Sequence, residues 1–204
     1  MYKGNKGFIL KFGDLAKTLS LEDWKTTSLE DLDSDTEWVA IVTDDAEAYL
    51  NEINAIVTKM KHPKTCFVID LHPCANYKHL QKLWDNYMMV DRESVEVLLS
   101  FIHHHLVNHS MISFTIQDFR VCSVPYPFVK AVSADIVKDA PIDPNAQAMC
   151  YGLCFEQACG LGTSYVNAFA KTTDKIGEGK SVPWSIQYSS DNVIEAIFFY
   201  ERKF

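Results

Sequence analysis

Asp70, His72 and Cys74 stand at alternate positions where an apolar run, Thr65 to Leu71, gives way to polar residues. On an extended strand Asp70 and His72 project to the same side. A carboxylate there can orient a base histidine while a nearby cysteine serves as nucleophile or metal ligand. The trio is the candidate catalytic set, with Asp70 orienting, His72 as base and Cys74 as nucleophile. A plainer role competes with it, in which Asp70 accepts loop N–H groups and His72 caps the following helix.

A second group is the run His103-His104-His105, with His109 four residues beyond the last. On an α-helix His105 and His109 lie one turn apart, and two imidazole nitrogens so placed suit a divalent metal such as zinc. With His72 added, the candidate metal set is His72, His105 and His109. No glutamate follows the first histidine as in an HExxH helix, so the pattern carries no general base. His109 falls near the apolar stripe of Val95, Ile102 and Leu106, and His104 points the opposite way. The competing reading is a hydrogen-bonded histidine packed at a helix end, where the dipole favours its proton.

Cys150, Cys154 and Cys159 give a poor match to zinc. A helix over 145–158 puts the first two on one face and Cys159 on another, whereas structural zinc sites use closely spaced pairs on turns. Packing as small hydrophobes is the expectation for these thiols. Gly160 to Ser164 reads as a glycine C-cap joined to a hydroxyl N-cap; it lacks the lysine of a P-loop, and no cofactor follows from it.

The elements that position these residues can be read from pattern. Gly7 to Gly13 suits an edge strand. Trp38 to Thr43 is dense in β-branched residues and reads as a buried strand. Asp44, with Glu47 three residues on, reads as the cap of a helix whose face is Tyr49, Ile53, Ile56 and Met60 and which His62-Pro63 ends. Strand 65–71 then completes a βαβ unit with parallel strands. Further on, helices are expected over 76–89, from Asp91 through Leu106, over 128–137, over 145–158 and over 164–176. Strand structure is expected over 111–124. Trp184 to Tyr188 and Val193 to Tyr200 suit a C-terminal antiparallel hairpin. The fold class is therefore α/β or α+β, a mixed β-sheet with a βαβ unit in the N-terminal half, a C-terminal hairpin and helices packed on the sheet. The acidic stretch 20–36 is expected to lie across the surface of a single globular domain spanning 1–204.

Composition bounds the function. The 204 residues are 48% apolar and 23% charged, which is globular and sufficient for a core without disulfides. A net charge of -8 repels phosphate backbones and anionic membranes, so protein partners or self-association are favoured over nucleic acid. No run of 18 apolar residues and no leader-like start occur, so a cytoplasmic protein with reduced cysteines is expected. The leading expectation is a non-catalytic regulatory or protein-interaction domain. The first alternative is a hydrolase or transferase using Asp70, His72 and Cys74 on a small-molecule ligand, with or without a divalent metal. The second is nucleic-acid binding through a basic patch formed on folding.

Overall fold

The computed structural model describes residues 7–20, 30, 32, 36–60, 65–72, 74–107, 115–136, 140–155, 166–167, 169–171, 173, 182–188 and 192–202. The chain divides into two compact units, Met1–Glu96 and Val97–Phe204. The mixed α/β fold expected from sequence is the one observed. Most of the acidic stretch 20–36 lies outside the described residues, as do His109 and Gly160 to Ser164.

In the first unit the strands β1 (Gly7–Phe12), β2 (Trp38–Thr43), β3 (Cys66–Asp70) and β4 (Tyr87–Val90) pair in that order, all parallel. β2 and β3 are buried along their whole length, as strands covered on both faces must be. Helix α2 (Leu50–Lys59) joins them, its inward face carried by Ile53 and Ile56, so the βαβ unit is present. Asp44, however, does not cap that helix. Its carboxylate takes the backbone N–H groups of Leu15 (2.7 Å) and Ala16 (2.5 Å) at the start of α1 (Asp14–Lys17). Gly13 makes this possible, because its φ of 91° suits glycine and any Cβ there would overlap the Asp44 carboxylate. Asp45 does the local work instead, accepting from the N–H groups of Glu47 and Ala48 at 3.1 Å. The helix expected over 76–89 stops early. α3 spans Tyr77–Leu83, and Trp84 is extended, so that Tyr87–Val90 becomes β4.

Asp91 caps as expected, accepting the N–H of Ser94 at 2.8 Å over a 3-10 turn, Arg92–Ser94. The turn leads into α4 (Val95–Phe101), which widens into a π-helical stretch, Ile102–Val107. In the second unit, three expectations reverse. Residues 116–123 form α5 (Ile116–Ser123), not a strand, because Thr115 and Asp118 close a capping box: the Thr115 hydroxyl takes the Asp118 N–H, and the Asp118 carboxylate takes the Thr115 N–H. Residues 128–135 form β5 (Phe128–Asp135), and 148–155 form β6 (Ala148–Phe155), where helices were expected. β6 is buried at every position, and a strand so enclosed shows no alternation to separate it from a buried helix.

Antiparallel pairing sits in the C-terminal part, though its partners differ from those expected. β8 (Val193–Tyr200) lies between β5 and β6 and is antiparallel to both, while β7 (Trp184–Tyr188) runs parallel to β6 on its other side. One face of these strands carries the core of Met149, Tyr151, Leu153, Ile186, Ile194 and Phe198. The opposite face meets α5 and the π-helical stretch; there Phe119 stacks edge-on against Phe199, with ring centres 5.4 Å apart. Among the described residues no helix is long and apolar enough to cross a membrane.

Candidate metal centre

The structure places the first sequence candidates in the loop that leaves β3. Asp70 is fully buried at the strand's end. Its carboxylate accepts the Tyr87 hydroxyl at 2.8 Å, the His72 backbone N–H at 3.1 Å and the Ala46 N–H at 3.4 Å. The contact with His72 is to its backbone, and among the described residues no hydrogen bond joins the carboxylate to the His72 ring. His72 is exposed. Burial raises the Asp70 carboxyl from its usual 3.8 to about 6, against the pull of those hydrogen bonds. Half-buried Cys74 is pushed up to about 11, chiefly by burial, which keeps it a thiol at neutral pH. Asp70 thus ties the loops after β2 and β3 to the Tyr87 hydroxyl on β4.

His105 of the second candidate set lies in the other unit, and four donors converge around it. His105 Nε2 is 3.4 Å from Cys154 Sγ and 3.3 Å from Glu195 Oε2. His104 Nδ1 is 3.6 Å from Cys154 Sγ and 3.7 Å from Glu195 Oε2. All four donor atoms lie within 4.8 Å of one another. Of the predicted metal set, only His105 belongs to this group; His72 is in the first unit, and His109 is outside the described residues.

The strands explain why the donors meet. On β6, Cys150, Gly152 and Cys154 face away from the core that Tyr151 and Leu153 join. Gly152 is level with Glu195 on β8 and with Ser185 on β7, so these three positions form one row across three strands. The absent side chain at Gly152 leaves room for the His105 imidazole; a Cβ there would overlap its ring. The ring is then held at both ends. Its Nδ1 lies 2.5 Å from the Ser185 hydroxyl, and its Nε2 faces Cys154 and Glu195. Phe101, one turn earlier, packs on it with ring centres 5.1 Å apart.

The π-helical stretch brings in the second histidine. On an α-helix consecutive side chains diverge by about 100°, which is why the sequence pattern points His104 away. The wider π turn reduces that divergence, and both rings reach the cluster. Glu195 is buried, and Ser100 donates its hydroxyl to Oε1. Oε2 receives no aligned hydrogen bond among the described residues and faces the two imidazoles. Burial works to raise the Glu195 carboxyl, but the contacts with His104, His105 and Ser100 outweigh it and hold the group down at about 2. Burial lowers His105 from its ordinary range, against the pull of Glu195, and so favours a neutral ring.

Sequence reasoning missed Glu195, Ser185 and Gly152, and assigned Cys154 to packing. Their pairing is set by strand register across segments far apart in the chain, and no local spacing signals it.

No protein-family model matches the chain. No curated protein matches it. Among solved structures, CetZ from Methanosaeta thermophila strain DSM 6194 is similar at 11% identity and a TM-score of 0.39, covering 83% of this chain and 54% of that one. TubZ of Bacillus thuringiensis serovar israelensis is similar in two structures. The GDP-form protofilaments give 12% identity and a TM-score of 0.34 over 79% of this chain and 53% of that one. The GTPyS-form protofilament gives 13% identity and 0.33 over 79% and 52%. The chain spans about half the length of these solved chains, and likeness at this level assigns no activity.

Two outcomes follow from the geometry. Gly152→Ala must displace a ring fixed by Ser185, Cys154 and Glu195, and is expected to cost about 1–3 kcal/mol in urea denaturation; a change under about 0.5 kcal/mol would show that the ring is not wedged there. The second concerns Asp70. The folded protein holds this proton more tightly than the unfolded chain, so the stability it confers is present below about pH 4 and is lost as pH rises through about 6. The loss is at most about 3 kcal/mol. Urea midpoints measured from about pH 4 to pH 7 should show this fall in the wild type and not in Asp70→Asn; equal slopes would contradict it.

Proposed function

We propose that the protein is a regulatory, metal-centred domain whose second unit closes around one divalent transition-metal ion of the zinc class. The ligands are His104 Nδ1, His105 Nε2, Cys154 Sγ and Glu195 Oε2. The observation that carries the reading is the spacing of these donors. A tetrahedral ion with metal–nitrogen and metal–oxygen bonds near 2.1 Å and a metal–sulfur bond near 2.3 Å has ligand–ligand edges of about 3.4–3.6 Å. The four edges that join an imidazole nitrogen to the thiol or the carboxylate run from 3.3 to 3.7 Å, and the other two are within 4.8 Å.

Three further features support it. Charge balances, since a thiolate, a carboxylate and two neutral imidazoles offset a dication in a buried place where an excess charge is costly. Donor softness points to zinc and its neighbours over magnesium or calcium, which take oxygen ligands. The Ser185 hydroxyl beside His105 Nδ1 holds the ring with Nε2 turned to the other donors, and in the metal-bound state it accepts from Nδ1–H, as outer-shell partners of ligating histidines do. Four protein donors also fill the tetrahedron, which is the habit of structural zinc; catalytic zinc keeps a position open from the outset.

Titration of untagged, metal-free protein with zinc in competition with a chromophoric chelator tests the reading. One ion per chain is expected. Ser185→Ala should weaken binding by about 10- to 100-fold, and Cys154→Ala by more. Wild-type affinity in both variants, or no stoichiometric binding, would leave the cluster as a buried hydrogen-bonded ion pair without a metal.

A further inference from the structure

The four donors are unequal in how they are held. The side chains of His105 and Glu195 are 0% and 4% exposed, and Cys154 is fully buried, while the His104 side chain is 24% exposed. His105 is clamped by Ser185 and Phe101, and Glu195 is fastened by Ser100. Cys154 is set by the β6 ladder. His104 alone meets solvent. Its Nδ1 also has another partner within reach, the Ser100 hydroxyl at 3.2 Å, one turn back along the helix. Its ring can therefore leave the metal without orphaning its nitrogen, which none of the other three donors can do so cheaply.

From this we infer that His104 is an exchangeable ligand and that its place on the metal is a binding position for a small neutral nitrogen donor from solution, of the imidazole class. The inference rests on the metal reading above and supplies its regulation. Charge selects the ligand class. With His104 bound, the centre is neutral, and replacing a neutral imidazole by another neutral nitrogen donor keeps it so. An incoming anion would place an uncompensated negative charge beside buried Glu195, at a cost set by the low local dielectric. The exchange is a ligand substitution with no change of oxidation state. The metal–nitrogen bond to His104 breaks, the bond to the incoming nitrogen forms, and the released ring, its proton moved from Nε2 to Nδ1 through solvent, donates to the Ser100 oxygen, whose own proton stays directed at Glu195. Since Ser100 also donates to Glu195, departure of His104 is coupled to the grip on a second ligand.

Cobalt(II) in place of zinc makes the coordination visible, because the intensity of its visible bands reports ligand number. In the wild-type protein, imidazole added to the cobalt form should shift the visible spectrum saturably while the far-ultraviolet circular dichroism stays constant. In His104→Ala, cobalt should still bind, more weakly than in the wild type, and imidazole should restore the four-coordinate spectrum; azide should not. Cys154→Ala should lose cobalt binding, with or without imidazole. If the wild type binds cobalt but imidazole leaves its spectrum unchanged, the inference falls while the metal centre stands. The inference also falls, with the centre intact, if His104→Ala loses cobalt as completely as Cys154→Ala and imidazole does not recover it. If wild-type protein binds no cobalt, the metal centre itself falls and takes the inference with it.

Discussion

The second unit depends on the seating of one imidazole over one glycine. His105 lies on the strands at Gly152, between Ser185 on one neighbouring strand and Glu195 on the other, with Cys154 two residues along. Close packing makes this arrangement demanding. A side chain at position 152 excludes the ring, and without the ring the buried Ser185 hydroxyl and Glu195 Oε2 each lose a polar partner. The π-helical stretch fits the same constraint, since it lets the residue before His105 share its target. Helix form, strand register and residue choice thus converge on one small volume.

Glu195 bears the largest energetic burden in that volume. A carboxylate this deeply buried is costly unless its lone pairs are engaged, and only Oε1 is engaged by an aligned donor among the described residues. Two states of the cluster can offset that cost. One is an ion pair with a protonated histidine; the other is a dication shared with both histidines and the thiolate. The lowered proton affinity of His105 weighs against placing that proton on His105, because burial disfavours the imidazolium there. The same lowering favours the second, since a metal needs a neutral ring. In the first unit Asp70 shows how a carboxylate is handled where no metal is invoked: three donors meet it, and its proton affinity rises.

What could be read from the chain alone follows the range of the interactions involved. β2, β3 and the helix between them were legible because β-branched runs and a helical stripe sit next to one another in sequence. The cap at Asp91 was legible for the same reason, its hydrogen bond spanning three residues. Asp44 was misread because its partners, Leu15 and Ala16, are distant in sequence, while Glu47 offered a local decoy. The segment 111–124 alternates like a strand near its start, yet the capping box at Thr115 and Asp118 sets its described part as helix. β6 shows a deeper ambiguity. Cys150 and Cys154, four residues apart, share a face in a helix and in a strand alike, so their kinship was visible while the element that carries them was not. Of the candidate centre, His105 was singled out from residue type. Glu195, Gly152 and Ser185 become neighbours only through the pairing of β8, β6 and β7, which no local pattern encodes.

The centre is tested most directly by X-ray absorption at the zinc edge on stoichiometrically loaded protein. The account predicts a four-coordinate shell with one sulfur near 2.3 Å and three nitrogen or oxygen neighbours near 2.0–2.1 Å, and loss of the sulfur scatterer in Cys154→Ser. A shell containing no sulfur, or six oxygen neighbours, would contradict it.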